Sequence, residues 1–310
     1  MLNFRYLDPE EILESRDFRD VEHFLHETRR RNIGWHYAVD LTWIYSRARH
    51  WTPGLRILDA GGGRGPAQFL LAEMGFDVVN VDLMHRAPDH AFVQRYGTHW
   101  TSLASHVATP YAQHISKFGG GPARFFKRIR NAARESSLLR DSIAATYLRR
   151  HDRWRTAQGF SSRPVGRLDW LTGNLGAVPE LETGSFDAVV SLSSLEHIPA
   201  ETISAAIAEI RRLVRAQGHW ALTTSGTERA GTWYHAPSQG YCFSNTDLGR
   251  LFNARLDGTA SAAEILCKYQ CSPYLRKNLA LHYRLSGKNG MPWGRWNPAY
   301  IPVAVFDRDT

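Results

Sequence analysis

Residues 56–65 read Arg-Ile-Leu-Asp-Ala-Gly-Gly-Gly-Arg-Gly, and this stretch narrows the fold more than any other. A short apolar run ending in the acid Asp59 predicts a buried strand. Glycines at 61, 63 and 65 predict a tight turn, because glycine enters strained backbone freely and puts no Cβ between the chain and a ligand. Residues 66–75 then predict a helix that starts at Pro66 and is closed by Gly75. FDVVNVDL, residues 76–83, predicts a second apolar strand. Strand, glycine turn, helix and strand within about thirty residues form a βα unit that feeds a parallel sheet.

The rest of the chain extends the pattern. Residues 8–31 predict a helix, with Asp8 as N-cap, Pro9 in the first turn and Glu11 three on. Residues 35–50 predict a second, aromatic-rich helix. From 85 to 165 the sheet rhythm stops, and Gly119, Gly120, Gly121 and Pro122 break the stretch, which reads as a helical insertion. The sheet resumes with VGRLDW and FDAVVSLSS. A helix running from Ala200 to its stop at Gly218 follows, then the strand HWALTTS. Ser244 to Asp247 resembles a capping box, and IPVAVF, 301–306, is the last strand. The expected division is N-terminal helices over 1–52 and a sheet domain over 53–310 that carries the insertion at 85–165.

Composition removes several classes. The 310 residues are 43% hydrophobic and 22% charged, as in ordinary globular proteins. Three cysteines cannot form a disulfide framework, and the CxxxC pair Cys267 and Cys271 has no histidine partners, so no metal site is expected. MLNFRYLDPEE is acidic within its first ten residues, so no secretory signal is expected. No run of eighteen apolar residues predicts a membrane span. A cytoplasmic location is expected.

Two further acids sit where a nucleoside could be held. Asp82 ends the second strand, and a carboxylate there can accept hydrogen bonds from both ribose hydroxyls. Asp169 and Trp170 follow the next strand, an acid and a ring suited to the edge and face of a flat base. A structural turn, a helix cap and a surface loop are the competing readings of the three features.

The order ILDAGGGRG, VDL, LDW, GSFDAVVSLSSLEHI and HWALTTS resembles the class I S-adenosylmethionine-dependent methyltransferases over about residues 55–85 and 165–226. The resemblance implies an α/β, Rossmann-like and mostly parallel sheet of seven strands. It implies S-adenosyl-L-methionine as cofactor, with the turn of Asp59, Gly61, Gly63 and Gly65 along its methionine part. Asp82 would take the ribose and Asp169 the adenine amino group. Leu83 and Trp170 would pack on the adenine, and Ser193 would line the methionine end. A nicotinamide-binding dehydrogenase fits less well, because its G-x-G-x-x-G turn would place Pro66 where a glycine is needed. A cofactor-binding scaffold without catalysis is the other alternative.

Methyl transfer to a hydroxyl needs a base near the transition state. His197, in SSLEHI, and His235, in TWYHAPSQGY, are the histidines expected at the acceptor end of the sheet. The expected reaction is O-methylation of a small molecule, sugar or glycan. A loose pattern at Tyr241, Ser244, Asp247 and Leu248 resembles methyltransferases associated with bacterial surface polysaccharides. Trp35, His36 and Tyr37 are candidates to cover the cofactor. Trp233, Tyr234, Tyr241, Trp293, Trp296 and Tyr300 are candidates to stack on an acceptor or to close the core.

Charge is uneven. Residues 85–165 hold fourteen Lys and Arg against four Asp and Glu, an excess larger than the +8 of the whole chain. Arg124, Lys127, Arg128, Arg130 and Arg134 flank Phe125, Phe126 and Ile129, as in an interfacial amphipathic helix. The expectation is an anionic acceptor, or peripheral contact with an anionic membrane through 122–155. No nucleic-acid-binding module accompanies the charge, which ranks nucleic acid lower.

Overall fold

The computed structural model describes residues 1–31, 33–84, 90–103, 137–285, 291 and 294–307. The strands are β1 Leu2–Tyr6, β2 Arg56–Ala60, β3 Asp77–Asp82, β4 Trp100–Ser102, β5 Leu168–Thr172, β6 Phe186–Leu192, β7 Val214–Gly226, β8 Trp233–His235, β9 Gly240–Cys242, β10 Ala254–Leu256 and β11 Ile301–Phe306. The helices are α1 Pro9–Glu14, α2 Arg16–Glu27, α3 Tyr37–Ala48, α4 Ala67–Glu73, α5 His90–Tyr96, α6 Ser137–Ala157, α7 Ile203–Leu213, α8 Asn245–Phe252, α9 Ala262–Cys271, α10 Pro273–Lys277 and α11 Leu281–Leu285.

Among the described residues, nine strands make one sheet in the order β10-β1-β11-β7-β6-β2-β3-β5-β4, not the seven expected. All pairings are parallel except those of β11, which is antiparallel to β1 and β7. β2 and β6 are buried almost throughout. That burial explains their unbroken apolar runs, since a parallel strand is covered on both faces. The crossovers β2-α4-β3 and β6-α7-β7 run in opposite directions from the middle of the sheet. With right-handed connections, this places α4 and α7 on opposite faces.

Four expectations are corrected. The helix over 8–31 is two helices: Ser15 donates to Ile12 O at 2.7 Å and accepts from Phe18 N at 3.0 Å, so one serine ends α1 and starts α2. The helix expected to reach Gly218 stops at Leu213. Val214 already pairs with Phe186, and the register resumes only at His219 opposite Ala188, so the residues between bulge out. The sheet does not pause throughout 85–165, because β4 joins its edge beside β5. VGRLDW does not end its strand at Trp170: β5 begins at Leu168 and runs to Thr172, with Asp169 opposite Val79. The cluster Arg124, Phe125, Phe126, Lys127, Arg128, Ile129, Arg130 and Arg134, and also Trp293, lie outside the described residues.

Part of the basic excess is used inside the fold. Glu73, at the end of α4 and fully buried, accepts from Arg95 Nε at 2.6 Å, Arg95 Nη2 at 2.7 Å and Tyr96 OH at 2.6 Å. Burial pulls the Arg95 guanidinium down, and its bonds to Glu73 more than reverse this, so it is held above its usual range. Arg155 of α6, also buried, donates to Glu73 O and to Phe160 O. Arg153 pairs with Glu27 of α2 at 2.6 Å. These bonds fasten α5 and α6 to the sheet-side helices.

Candidate active site

The strand order turns around at β2, with β3 on one side and β6 on the other. In open parallel sheets such a point leaves a crevice beyond the carboxyl ends of the strands. A cleft of about 1010 Å³ lies there. The turn after β2 contributes Gly61 to Pro66, β3 contributes Asp82, Leu83 and Met84, and the end of β5 contributes Gly173, Asn174 and Leu175. The opposite wall is Leu192 to Ser194, His197 to Pro199, Glu201 and Thr202, completed by Ile33 and Gly34 ahead of α3 and by Tyr37, its first residue.

The turn is built for close approach. Gly61 has φ +72°, and a Cβ there would stand 2.6 Å from Ser194 Oγ. A Cβ on Gly62 would stand 1.8 Å from Asp59 Oδ2. Asp59 is therefore beneath the turn rather than on the cleft wall. It is fully buried and accepts from Asn80 Nδ2 at 2.8 Å. Asp82 faces the cleft at the end of β3 and accepts from Met84 N at 2.8 Å, which orders the chain after the strand. A glycine cradle beside a strand-end carboxylate fits the adenosyl cofactor implied by the resemblance.

Asp169 and Trp170 stand elsewhere. Asp169 lies mid-strand and accepts from His99 N at 3.3 Å. Trp170 is buried between Phe69 and Phe92, and its indole N–H donates to Gln68 Oε1. Neither is among the residues lining the cleft. Just after β5 the polar side chain that does line it is that of Asn174, whose Oδ1 accepts from Gly176 N at 2.9 Å. The turn signal Gly173-Asn174 marked that strand end in the sequence.

The two histidines separate. His197 lines the cleft, and its Nδ1 lies 2.9 Å from Gln239 O in the turn between β8 and β9. A carbonyl only accepts, so Nδ1 carries the hydrogen and Nε2 of the neutral ring keeps its lone pair. His235 is buried against Tyr300, bonds Ser238 Oγ at 2.7 Å, and is absent from the cleft lining. Burial pushes its pKa down. Next to His197, Glu196 is buried under the same turn and accepts from Thr224 and Ser225 hydroxyls at 3.2 Å. Burial pushes its carboxyl up.

Of the expected covering residues, Tyr37 lines the cleft, while Trp35 and His36 are buried behind it. Trp35 Nε1 donates to Tyr300 OH at 3.1 Å, and its ring packs edge-on against Trp296, so these rings close the core. Tyr234 is exposed on the β8–β9 ribbon against Tyr241, outside the cleft. Ser244 and Asp247 bond one another at 2.8 Å as the cap of α8, which accounts for that loose pattern by helix capping. No group of three metal-binding side chains occurs among the described residues, and no described helix is long and apolar enough to cross a membrane.

A family model described as a methyltransferase domain matches residues 12–255. No curated protein sequence matches. Among solved structures, the chain is similar to the 1,6-didemethyltoxoflavin-N1-methyltransferase of Burkholderia thailandensis, with 13% identity, a TM-score of 0.42, and coverage of 97% of this chain and 86% of that one. It is also similar to the geranyl diphosphate C-methyltransferase of Streptomyces coelicolor, with 12% identity, a TM-score of 0.40, and coverage of 87% and 75%. The cyclase SpnF gives 14% identity, a TM-score of 0.46, and coverage of 90% and 83%.

Proposed function

Because the chain belongs to the methyltransferase-domain family, we propose that this S-adenosylmethionine-dependent enzyme methylates a hydroxyl of a small molecule, with His197 as the base. The observation that carries the reading is that the glycine cradle, Asp82 and a histidine with a fixed tautomer line one cleft. The cofactor supplies a methyl group on a sulfonium, open to in-line displacement. The chain's work is then alignment, exclusion of water and removal of one proton.

Asp82 would accept hydrogen bonds from the ribose hydroxyls, Leu83 would pack on the adenine, and the amide of Asn174 would take the adenine edge that was expected to fall to Asp169. Gly61, Gly63 and Gly65 would leave room for the methionine part. His197 Nε2 accepts the proton of the acceptor hydroxyl. Ile33, Tyr37, Ile198 and Pro199 give the cleft an apolar stretch of wall, and its described charged lining residues are Asp82, Glu201 and Arg64. That stretch favours an acceptor with an apolar body.

Calorimetry with S-adenosylmethionine tests the cofactor half of the reading. Wild type is expected to bind, and Asp82→Ala to bind about 10- to 100-fold more weakly, the scale of lost hydrogen bonds to a charged group. Equal affinity in the two proteins removes Asp82 from the site.

A further inference from the structure

Behind the wall that faces the cofactor lies a buried polar contact that the proposed chemistry does not use. Asp40, in the first turn of α3, is completely buried. Its Oδ2 lies 2.6 Å from His36 Nδ1 and accepts from Ser193 Oγ at 2.7 Å. Its Oδ1 has no hydrogen-bond partner. His36 and Ser193 are themselves 4% and 2% exposed. A buried carboxylate is tolerated only where its partners are held firmly, so the bond to His36 orders the start of α3 and the bond to Ser193 ties it to the end of β6.

Both segments matter to the cleft. Ser193 follows β6 and lines it, and His36 lies between Gly34 and Tyr37, which also line it. The Tyr37 ring lies against Gly34, where a Cβ would come within 2.7 Å of Tyr37 Cδ1. Ser193 has φ +44°, a conformation that glycine takes more easily than serine. Its own N–H holds that backbone in place, donating to Thr223 Oγ1 at 3.1 Å and Thr223 O at 3.2 Å. What serine adds over glycine is the hydroxyl, and the hydroxyl goes to Asp40.

We propose that Ser193, Asp40 and His36 are positioning residues, a latch through which the end of β6 sets the Gly34–Tyr37 wall against the bound cofactor. The inference rests on the cofactor reading of the cleft. It makes the chain ahead of α3 a working part of the cofactor site, although that stretch lies outside the glycine turn and the strand ends.

The test uses S-adenosylhomocysteine as the calorimetric probe and thermal melting as the control. Ser193→Gly keeps the backbone conformation and removes only the hydroxyl. The protein is expected to stay folded with a melting temperature lowered by only a few degrees, because glycine relieves the positive φ and offsets part of the lost bond, while the Kd rises about tenfold, as for loss of a bond to a charged group. His36→Gln is expected to raise the Kd similarly, and the double variant to add little to either single one, because both act through Asp40. A Ser193→Gly Kd within about twofold of wild type overturns the latch, as do additive effects in the double variant. A wild-type protein that binds no S-adenosylhomocysteine overturns the cofactor reading itself.

Discussion

His197→Ala is expected to lower kcat by about 10²–10⁴-fold, the usual contribution of a positioned base. Cofactor affinity is expected to move little, because the cradle and Asp82 are on other strands. The argument is one of tautomer. Gln239 O holds the hydrogen on Nδ1, so the ring presents an acceptor at Nε2 without needing a carboxylate partner. His197→Gln, which keeps a polar group but cannot take a proton near neutral pH, is expected to fall nearly as far as the alanine variant. Transfer of label from methyl-labelled cofactor into small molecules of a cell extract gives the readout. If both variants turn over at close to the wild-type rate, alignment alone drives the chemistry and the base assignment fails. His235→Ala is the contrast: that ring is buried outside the cleft, so its loss is expected in stability rather than in kcat.

Glu73→Ala is expected to destabilise the protein by about 3–5 kcal/mol, because removing one partner of a buried ion pair leaves the other charge uncompensated. Here the cost falls on more than one group. Arg95 loses both bonds to Glu73 and keeps only the one to exposed Asp152 at 2.9 Å, Tyr96 loses its acceptor, and Arg155 stays buried beside them. Glu73→Gln keeps one acceptor oxygen and is expected to lose less. Urea unfolding followed by circular dichroism reads the difference. A shift under about 1 kcal/mol for Glu73→Ala would mean that the cluster relaxes or fills with water, so that no buried charge is left stranded.

The central βα unit was legible because its signals are local: an apolar run, glycines, a helix start and another apolar run fall within one window. Asp82, Leu83, His197 and the three glycines came with it, since each sits at a strand end that the pattern marks. The failures are non-local or a matter of register. β1 and β10 are short, and their partners are about as far off in sequence as the chain allows, so no window shows the pairing. The end of β5 was read two residues early, and that slip put Asp169 and Trp170 at a cleft that Asn174 lines instead. The basic excess at 85–165 looked like a surface for an anion. In the described part, Arg95 and Arg155 turn inward to Glu73 and backbone carbonyls, a use that composition cannot distinguish from a solvated face, while Arg153 pairs with Glu27 at the surface.

The position of β1 has a consequence for how the chain is made. Asn3 pairs with Phe306 and Leu2 with Ala254, so β1 waits through about 250 residues of later chain before it has a neighbour in the sheet. The strands from β2 to β7 can pair with each other long before that. Closing so large a loop adds little to the equilibrium cost, since the entropy grows only with the logarithm of its length. It does impose an order, because pairings distant in sequence form slowly. Until β11 emerges, Leu2, Phe4 and Tyr6 stay without the cover that buries them in the finished sheet. During synthesis β1 is therefore expected to pair after the central strands β2 to β7.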